Sequence, residues 1–278
     1  MAVKAKKVET GPIPRPPHPP VDDVGDKSTY INSKLTPEEK EKLISSAEQF
    51  ADILEWGGYD SRFSEAAANV KHYREGNGSD RKLSSDEIRD IETSLPTFSE
   101  NKNKFLYQFL NDISDQFKND KNLNVACFIL EEKPGDYWLG ATAKPSQSPK
   151  WHYAMGSFLF SFGARAEVMK IDGKETGLKI KYKVYIYDRY NWDMGKTVSV
   201  PKTAIDLADM ATPGTIEPLK EYNLGLPDFP NSHYIDTDGD KYVVSDGVMG
   251  SLSAANKANF FDIVGETPEL YVNYGLAR

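Results

Sequence analysis

Hydrophobic positions along this chain change their period once. Leu43, Ala47, Phe50, Ala51 and Leu54 recur at three- and four-residue intervals, which predicts a helix with one buried face. Thr36 before Pro37-Glu38-Glu39 supplies an N-cap, a proline at the first helical position and acids against the exposed N–H groups. Trp56-Gly57-Gly58 ends that helix. A second is predicted over residues 63–73, stopped by Glu75-Gly76-Asn77-Gly78. A third opens at Ser84-Ser85-Asp86-Glu87, where Ser84 and Glu87 have the spacing of a capping box, and runs to Leu95-Pro96. Phe105, Phe109, Ile113 and Phe117, four apart, mark a fourth.

Near Asn124 the period falls to two. Residues 125–130 form a short apolar, partly β-branched run, and 133–150, with Pro134-Gly135, Pro145 and Pro149, read as a loop. Strands are predicted over 153–162, 164–171 and 178–187, the last two joined by a turn-rich stretch over 172–177. Ile180, Tyr182, Val184 and Ile186 alternate with Lys179, Lys181, Lys183 and Tyr185, so one face is expected to be buried and the other wet. Helices first and strands second imply an α+β protein, an N-terminal helical region followed by an antiparallel sheet or open β-barrel. Three stretches follow: a Pro-rich flexible arm over 1–34, a helical region over 35–122, and an antiparallel β-rich region over 123–278 expected to carry activity. The arm holds six prolines between Pro12 and Pro20 and no apolar periodicity. It reads as an extended disordered tail or as a handle for a delivery or import partner. The stretch 265–278, with Tyr271, Tyr274 and Leu276, reads as a docked terminal segment.

Composition narrows the function. The 278 residues carry 34 Lys plus Arg against 42 Asp plus Glu, a net charge of −8, which argues against general nucleic-acid binding. No apolar run approaches the roughly 20 residues of a membrane helix. The single cysteine, Cys127, allows no intrachain disulfide and no Cys-rich metal site, and its apolar neighbours predict a buried small hydrophobe. The basic N-terminus runs into prolines and not into an apolar stretch, so no cleavable signal peptide is expected. Charge is uneven: residues 164–202 carry nine bases and five acids, and 206–246 carry nine acids and two bases. Solvated loops explain this, and so would patches that bind an anionic headgroup and a basic partner separately.

The densest polar and aromatic cluster, Tyr185 to Lys196, is expected at the end of the best-patterned strand. Asp188 or Asp193 could take a divalent cation while Arg189 or Lys196 contacts phosphate oxygens. The alternative is that Tyr190 and Trp192 plug a sheet edge and the carboxylates make turn hydrogen bonds. Of the histidines, His18 falls in the arm, His72 and His152 at a helix end and a strand start, and His233 in a polar loop. Asp236-Thr237-Asp238-Gly239-Asp240 has the alternating carboxylates of a calcium loop, but Lys241 and Gly247 stand where Gly and Glu are required. A solvated turn, with weak Ca2+ binding left open, is the expectation. Phosphate-loop, dinucleotide, nucleophile-elbow and zinc-protease motifs are absent.

Tyr187-Asp188-Arg189-Tyr190-Asn191-Trp192 resembles the Asp-x-Tyr-Asp-Phe/Trp stretch of the colicin M family of bacteriocins. Upstream, Ala67 to Arg81, with His72-Tyr73 and Gly76-Asn77-Gly78, resembles the Ala-x-x-His-Tyr-x-x-Gly-x-Gly stretch of the same proteins, in the same order. The region from His152 to Trp192 is similar to C-terminal segments of bacterial polymorphic toxins. The resemblance covers roughly residues 65–200. It implies a helical region docked on an open antiparallel barrel. It also implies Mg2+-dependent cleavage of the lipid-linked peptidoglycan precursor between polyprenyl chain and pyrophosphate. By matching position, Asp188 and Tyr190 would be active-site residues. The family's second aspartate is Asn191 here, and Thr197-Val198 stand in place of its His-Arg pair.

The resulting expectation is an antibacterial toxin. Asp188, Tyr190, Asn191 and Asp193 would serve catalysis, Arg189, Trp192 and Lys196 substrate binding, and Asp188 would hold Mg2+. Such a protein would be secreted or delivered from a bacterium and act in the periplasm or at the membrane of a target cell. The resemblance further implies an immunity protein in the producer. The rival expectation is a non-catalytic toxin component that binds or disturbs a membrane, in which metal is irrelevant.

Overall fold

The helices predicted from three- and four-residue spacing form in a computed structural model that describes residues 3–20, 35–56, 58, 60–171, 174–192, 197–201, 235–238 and 241–275. They are α1 (Pro37–Trp56), α2 (Ser64–Glu75), α3 (Ser85–Ser94) and α4 (Pro96–Asn119). Both predicted N-terminal devices are present. Ser84 Oγ accepts from the Glu87 N–H while Glu87 accepts from the Ser84 N–H, and Thr36 and Glu39 make the same reciprocal pair.

The main sheet has eight strands: β1 (Lys4–Val8), β2 (Arg81–Lys82), β3 (Val125–Glu131), β4 (Leu139–Thr142), β5 (Ser157–Ile171), β6 (Lys174–Tyr190), β10 (Phe261–Glu266) and β11 (Leu270–Tyr274). Its path is β1-β3-β5-β6-β10-β2, with β4 beside β5 and β11 beside β6. The sheet is open, so the expected α+β class holds and its barrel form does not close. It is also mixed, because the short β2 pairs parallel to β10. A separate three-stranded sheet contains β7 (Thr197–Pro201), β8 (Ile235–Asp238) and β9 (Lys241–Ser245). Two short helices, α5 (Pro149–Ala154) and α6 (Asp246–Ala254), complete the described residues.

The core lies between α4 and the inner face of the sheet. Phe98 meets Phe158 and Phe160 with ring centroids 5.1 and 5.3 Å apart, Phe109 meets Phe162 at 5.7 Å, and Phe117 meets Phe128 at 6.2 Å. These aromatic stripes, spaced by turns on α4 and by two on β5, interlock because both periods bring a ring to one face.

Three regions depart from expectation. Residues 149–154 are helix where a loop to 150 and a strand from 153 are expected, and 157–171 form one continuous strand. Strand β6 continues to Tyr190 because β10 pairs with it throughout, Ile263 opposite Asp188 and Phe261 opposite Tyr190. The cluster expected in a loop is therefore strand up to Tyr190.

The third change concerns the N-terminus, where residues 3–20 of the expected flexible arm are folded. β1 pairs with β3, and its other edge is held by α4, with the Ala5 N–H donating to Asp112 and Gln116 donating to the Ala5 carbonyl. Residues 11–20 then cross the outer face of the sheet. Prolines bring carbonyls without N–H groups, so the sheet need only offer donors. Arg165 donates to Gly11 O (3.0 Å), Tyr185 to Pro14 O (3.2 Å) and Trp138 to Pro17 O (2.8 Å). Gly163 makes room: a Cβ there would stand 2.0 Å from Pro14 O. The face read as wet is consequently wet only at Lys179, Lys181 and Lys183, while Tyr185 and Tyr187 are buried. Cys127 is buried as expected, its Sγ beside the Gly11 backbone.

Candidate active site

β5 and β6 pair from Ile171↔Lys174 to Leu159↔Tyr187 and no further. Beyond that point β5 is paired only on its other edge, where β4 follows β3 and sets Ala141 opposite Phe158, while β6 stays with β10. The two strands part, and a cleft of about 750 Å³ opens between them. Its walls are the start of β5, β4, α5, the end of β6, Asp246 at the start of α6, and Pro20 of the arm. Gly156 makes the junction: α5 ends there with φ at +62°, a left-handed position that glycine adopts without strain, and the chain enters β5 at once. α5 is held by Asn69 of α2, whose Nδ2 donates to the Ala154 carbonyl at 2.7 Å, and by the buried Trp151, whose Nε1 donates to Asp90 at 2.8 Å.

Asp188, Arg189, Tyr190, Asn191 and Trp192 all line this cleft, so the structure gathers five of the seven site residues expected from sequence. Asp193 and Lys196 lie outside the described residues, as does His233. The five do not act as one set, because β6 alternates. Asp188 and Tyr190 face the helices, and Tyr187 and Arg189 face the arm.

On the helix side, burial raises the Asp188 carboxyl from its ordinary 3.8 to about 7. The Arg189 N–H, 2.9 Å from Oδ1, works against that rise, and the charge of Asp262 adds to it. Near neutral pH Asp188 is thus able to give or take a proton. Tyr190 stacks on Phe261 with centroids 4.9 Å apart and meets Trp192 edge-on at 5.7 Å. Burial, reinforced by Tyr73, holds its phenol well above the ordinary value, so it keeps its proton. The expected aromatic plug exists, and its rings also form a cleft wall.

On the arm side, Asp262 of β10 is a hub. Its Oδ1 accepts from Arg189 Nη1 (2.5 Å) and the Tyr187 hydroxyl (3.1 Å), and its Oδ2 pairs with His18 Nε2 (2.8 Å). Burial acts to raise the Asp262 carboxyl, but these bonds outweigh it and hold it below the ordinary range. The bond to Asp262 raises His18, and burial raises Tyr187. Arg189, expected to meet substrate phosphate, lines the cleft and pairs through Nη1 with Asp262.

His152 of α5 lines the cleft as well, and its Nδ1 is 2.9 Å from the Ala143 carbonyl. Sequence reasoning passed over His152, His18 and Asp262. The one signal available in the sequence is that tyrosines, Tyr185 and Tyr187, replace lysines at the end of a lysine-bearing strand face. His152 gave none, because its helix was read as a strand.

The donor set does not make a metal centre by itself: among the described residues no three His, Cys, Asp or Glu come together to hold an ion. Asp188 on its own, where burial favours the neutral acid, is a poor resident ligand. Asp236 and Asp238 of the suggested calcium loop lie on β8, paired with Val243 and Lys241 of β9 in extended backbone, and Gly239 and Asp240 lie outside the described residues. No helix among the described residues is long and apolar enough to cross a membrane. Compared with known proteins, the chain matches no protein family, no curated protein and no solved structure.

Proposed function

We propose that the cleft is the active site of a hydrolase in which Asp188 transfers the proton, acting in the manner of colicin M on a lipid-linked peptidoglycan precursor. The observation that carries this reading is a carboxyl with a pKa of about 7 in the wall of an open cleft of about 750 Å³. A group that titrates near the working pH is an efficient general acid or base. It offers what the His-Arg pair, replaced here by Thr197-Val198, would otherwise supply. An amphiphilic substrate suits the lining, which sets Asp188, Asn191 and Asp246 against Met155, Phe158 and Trp192.

In this reading protonated Asp188 donates to the polyprenyl oxygen as the phosphorus–oxygen bond breaks, releasing polyprenol and a pyrophosphoryl sugar-peptide. Tyr190 keeps its proton and donates to a phosphate oxygen. A Mg2+ ion on Asp188 would require the carboxylate, so ion and proton exclude each other there, and the reading places the proton. Mg2+ is then an ion brought with the substrate's phosphate oxygens. Action in the periplasm or at the membrane of a target bacterium, and an immunity protein in the producer, follow from the resemblance alone.

The test is mass spectrometry of purified precursor incubated with the protein, with Mg2+ and with chelator, beside Asp188→Asn. Release of the pyrophosphoryl product that Asp188→Asn lowers at least a hundredfold is expected. Intact precursor in every arm would overturn the reading. It would favour the non-catalytic alternative, which has one observation behind it: Arg189, one of the two cations expected to meet phosphate, is paired with Asp262.

A further inference from the structure

The imidazole of His152 is oriented by a bond that fixes which nitrogen carries the proton. A carbonyl oxygen can only accept, so Nδ1, 2.9 Å from Ala143 O, is the donor. In the neutral ring Nε2 then carries a bare lone pair, and no described residue hydrogen-bonds to it. His152, on α5, lines the same cleft as Asp188, on β6. A histidine in a cleft wall with a backbone carbonyl on one nitrogen is oriented for proton transfer at the other. The support is rigid. α5 is capped by Ser148, which accepts from the Trp151 N–H, and it is pinned through Trp151 to Asp90 and through the Ala154 carbonyl to Asn69. Ala143 itself is fixed by its N–H to the Gly156 carbonyl at 2.7 Å.

We propose that His152 is the general base of the cleft, its Nε2 taking a proton from the attacking water while Asp188 delivers one to the leaving oxygen. This rests on the hydrolytic reading above and adds its second proton carrier. The step balances. A water O–H bond breaks with its proton going to Nε2, a phosphorus–oxygen bond forms, the bond to the polyprenyl oxygen breaks, and that oxygen takes the Asp188 proton. The imidazolium and the carboxylate return to their starting forms by exchange with solvent. Titratable or charged groups facing the same cleft are Asp188, Asp246, Tyr153, Tyr187, Tyr190 and Arg189.

The experiment combines a proton-position measurement with kinetics on the full chain. Two-bond nitrogen–proton NMR of the 15N-labelled protein reads the His152 tautomer without any substitution in the site. A neutral ring protonated on Nδ1 is expected, and one protonated on Nε2 would overturn the proposal. His152→Asn keeps an amide donor for Ala143 O and removes the base. With the purified precursor as probe, its kcat is expected to fall at least a hundredfold with KM changed less than threefold. The alkaline limb of the pH–rate profile, set by Asp188, should persist in the variant. His152→Gln is a second variant should the first unfold. Active wild type with near-normal His152→Asn would refute the base and leave the hydrolytic reading standing. Wild type that leaves the precursor intact at every pH would refute both.

Discussion

Removing the charge from Asp188 should stabilise the fold, and the gain should depend on pH in one direction. The folded carboxyl titrates at about 7 and the free one at 3.8. Between those values the folded chain holds a proton that the unfolded chain has released, so unfolding gives up a proton and stability falls as pH rises. The loss begins near the unfolded value and is complete once pH passes the folded value. At about 1.4 kcal/mol per tenfold change in proton affinity, the interval corresponds to about 4 kcal/mol as a ceiling. The side chain borders an open cleft, where entering water screens the charge, so about 1–3 kcal/mol is the expected size. Asp188→Asn keeps the acceptor for the Arg189 N–H and carries no charge at any pH. Urea unfolding followed by tryptophan fluorescence at pH 5, 6, 7 and 8 should find the variant ahead of wild type by a margin that is smaller at pH 5 and grows until pH passes about 7. A gap equal at pH 5 and pH 8 to within about 0.5 kcal/mol would mean that Asp188 charges freely in the fold, and the proton-donor role would go with it.

The same geometry makes three further predictions. His18 is raised by its bond to Asp262, so its contribution is present below its unfolded value of 6.5 and lost as pH rises through the higher folded one. An NMR titration of the His18 ring should give a value above 6.5 that drops in Asp262→Asn, and an unchanged value would remove Asp262 as the cause. Gly163→Ala should push the arm off the sheet, because its Cβ would collide with Pro14 O, costing about 1–3 kcal/mol in chemical denaturation. Wild-type stability in that variant would mean the arm does not lie there. Asn69→Ala should cost about 2 kcal/mol and lower activity together, since it leaves the Ala154 carbonyl without its donor and removes one of the anchors of α5; unchanged stability would show that Trp151 suffices to hold that helix.

The helices were legible because their signals are local. Ser84 and Glu87, or Thr36 and Glu39, meet through three residues of their own chain, and the stripe on α4 needs only a 3.6-residue period to become a face. Strand alternation likewise gave the inner face of β6 and the Phe158, Phe160, Phe162 row. The sequence also marked Asp188 to Trp192 as a polar and aromatic cluster, and these residues do line one cleft.

What the sequence did not determine are the contacts made across long separations. A proline-rich segment has no periodicity to announce a docking face, so only the folded sheet reveals that Gly163, Arg165 and Tyr185 receive it. The continuation of β6 through Asp188 depends on β10, more than seventy residues later, and the cleft opens where the β5–β6 pairing ends at Leu159 and Tyr187. The proton affinity of Asp188 follows from that same parting. A carboxyl in a loop would sit in water near its ordinary value, whereas one held in a strand under helices cannot shed its charge to solvent. Residue types were written in the sequence; their burial, their partners and their protonation were set by the packing of segments that the sequence keeps far apart.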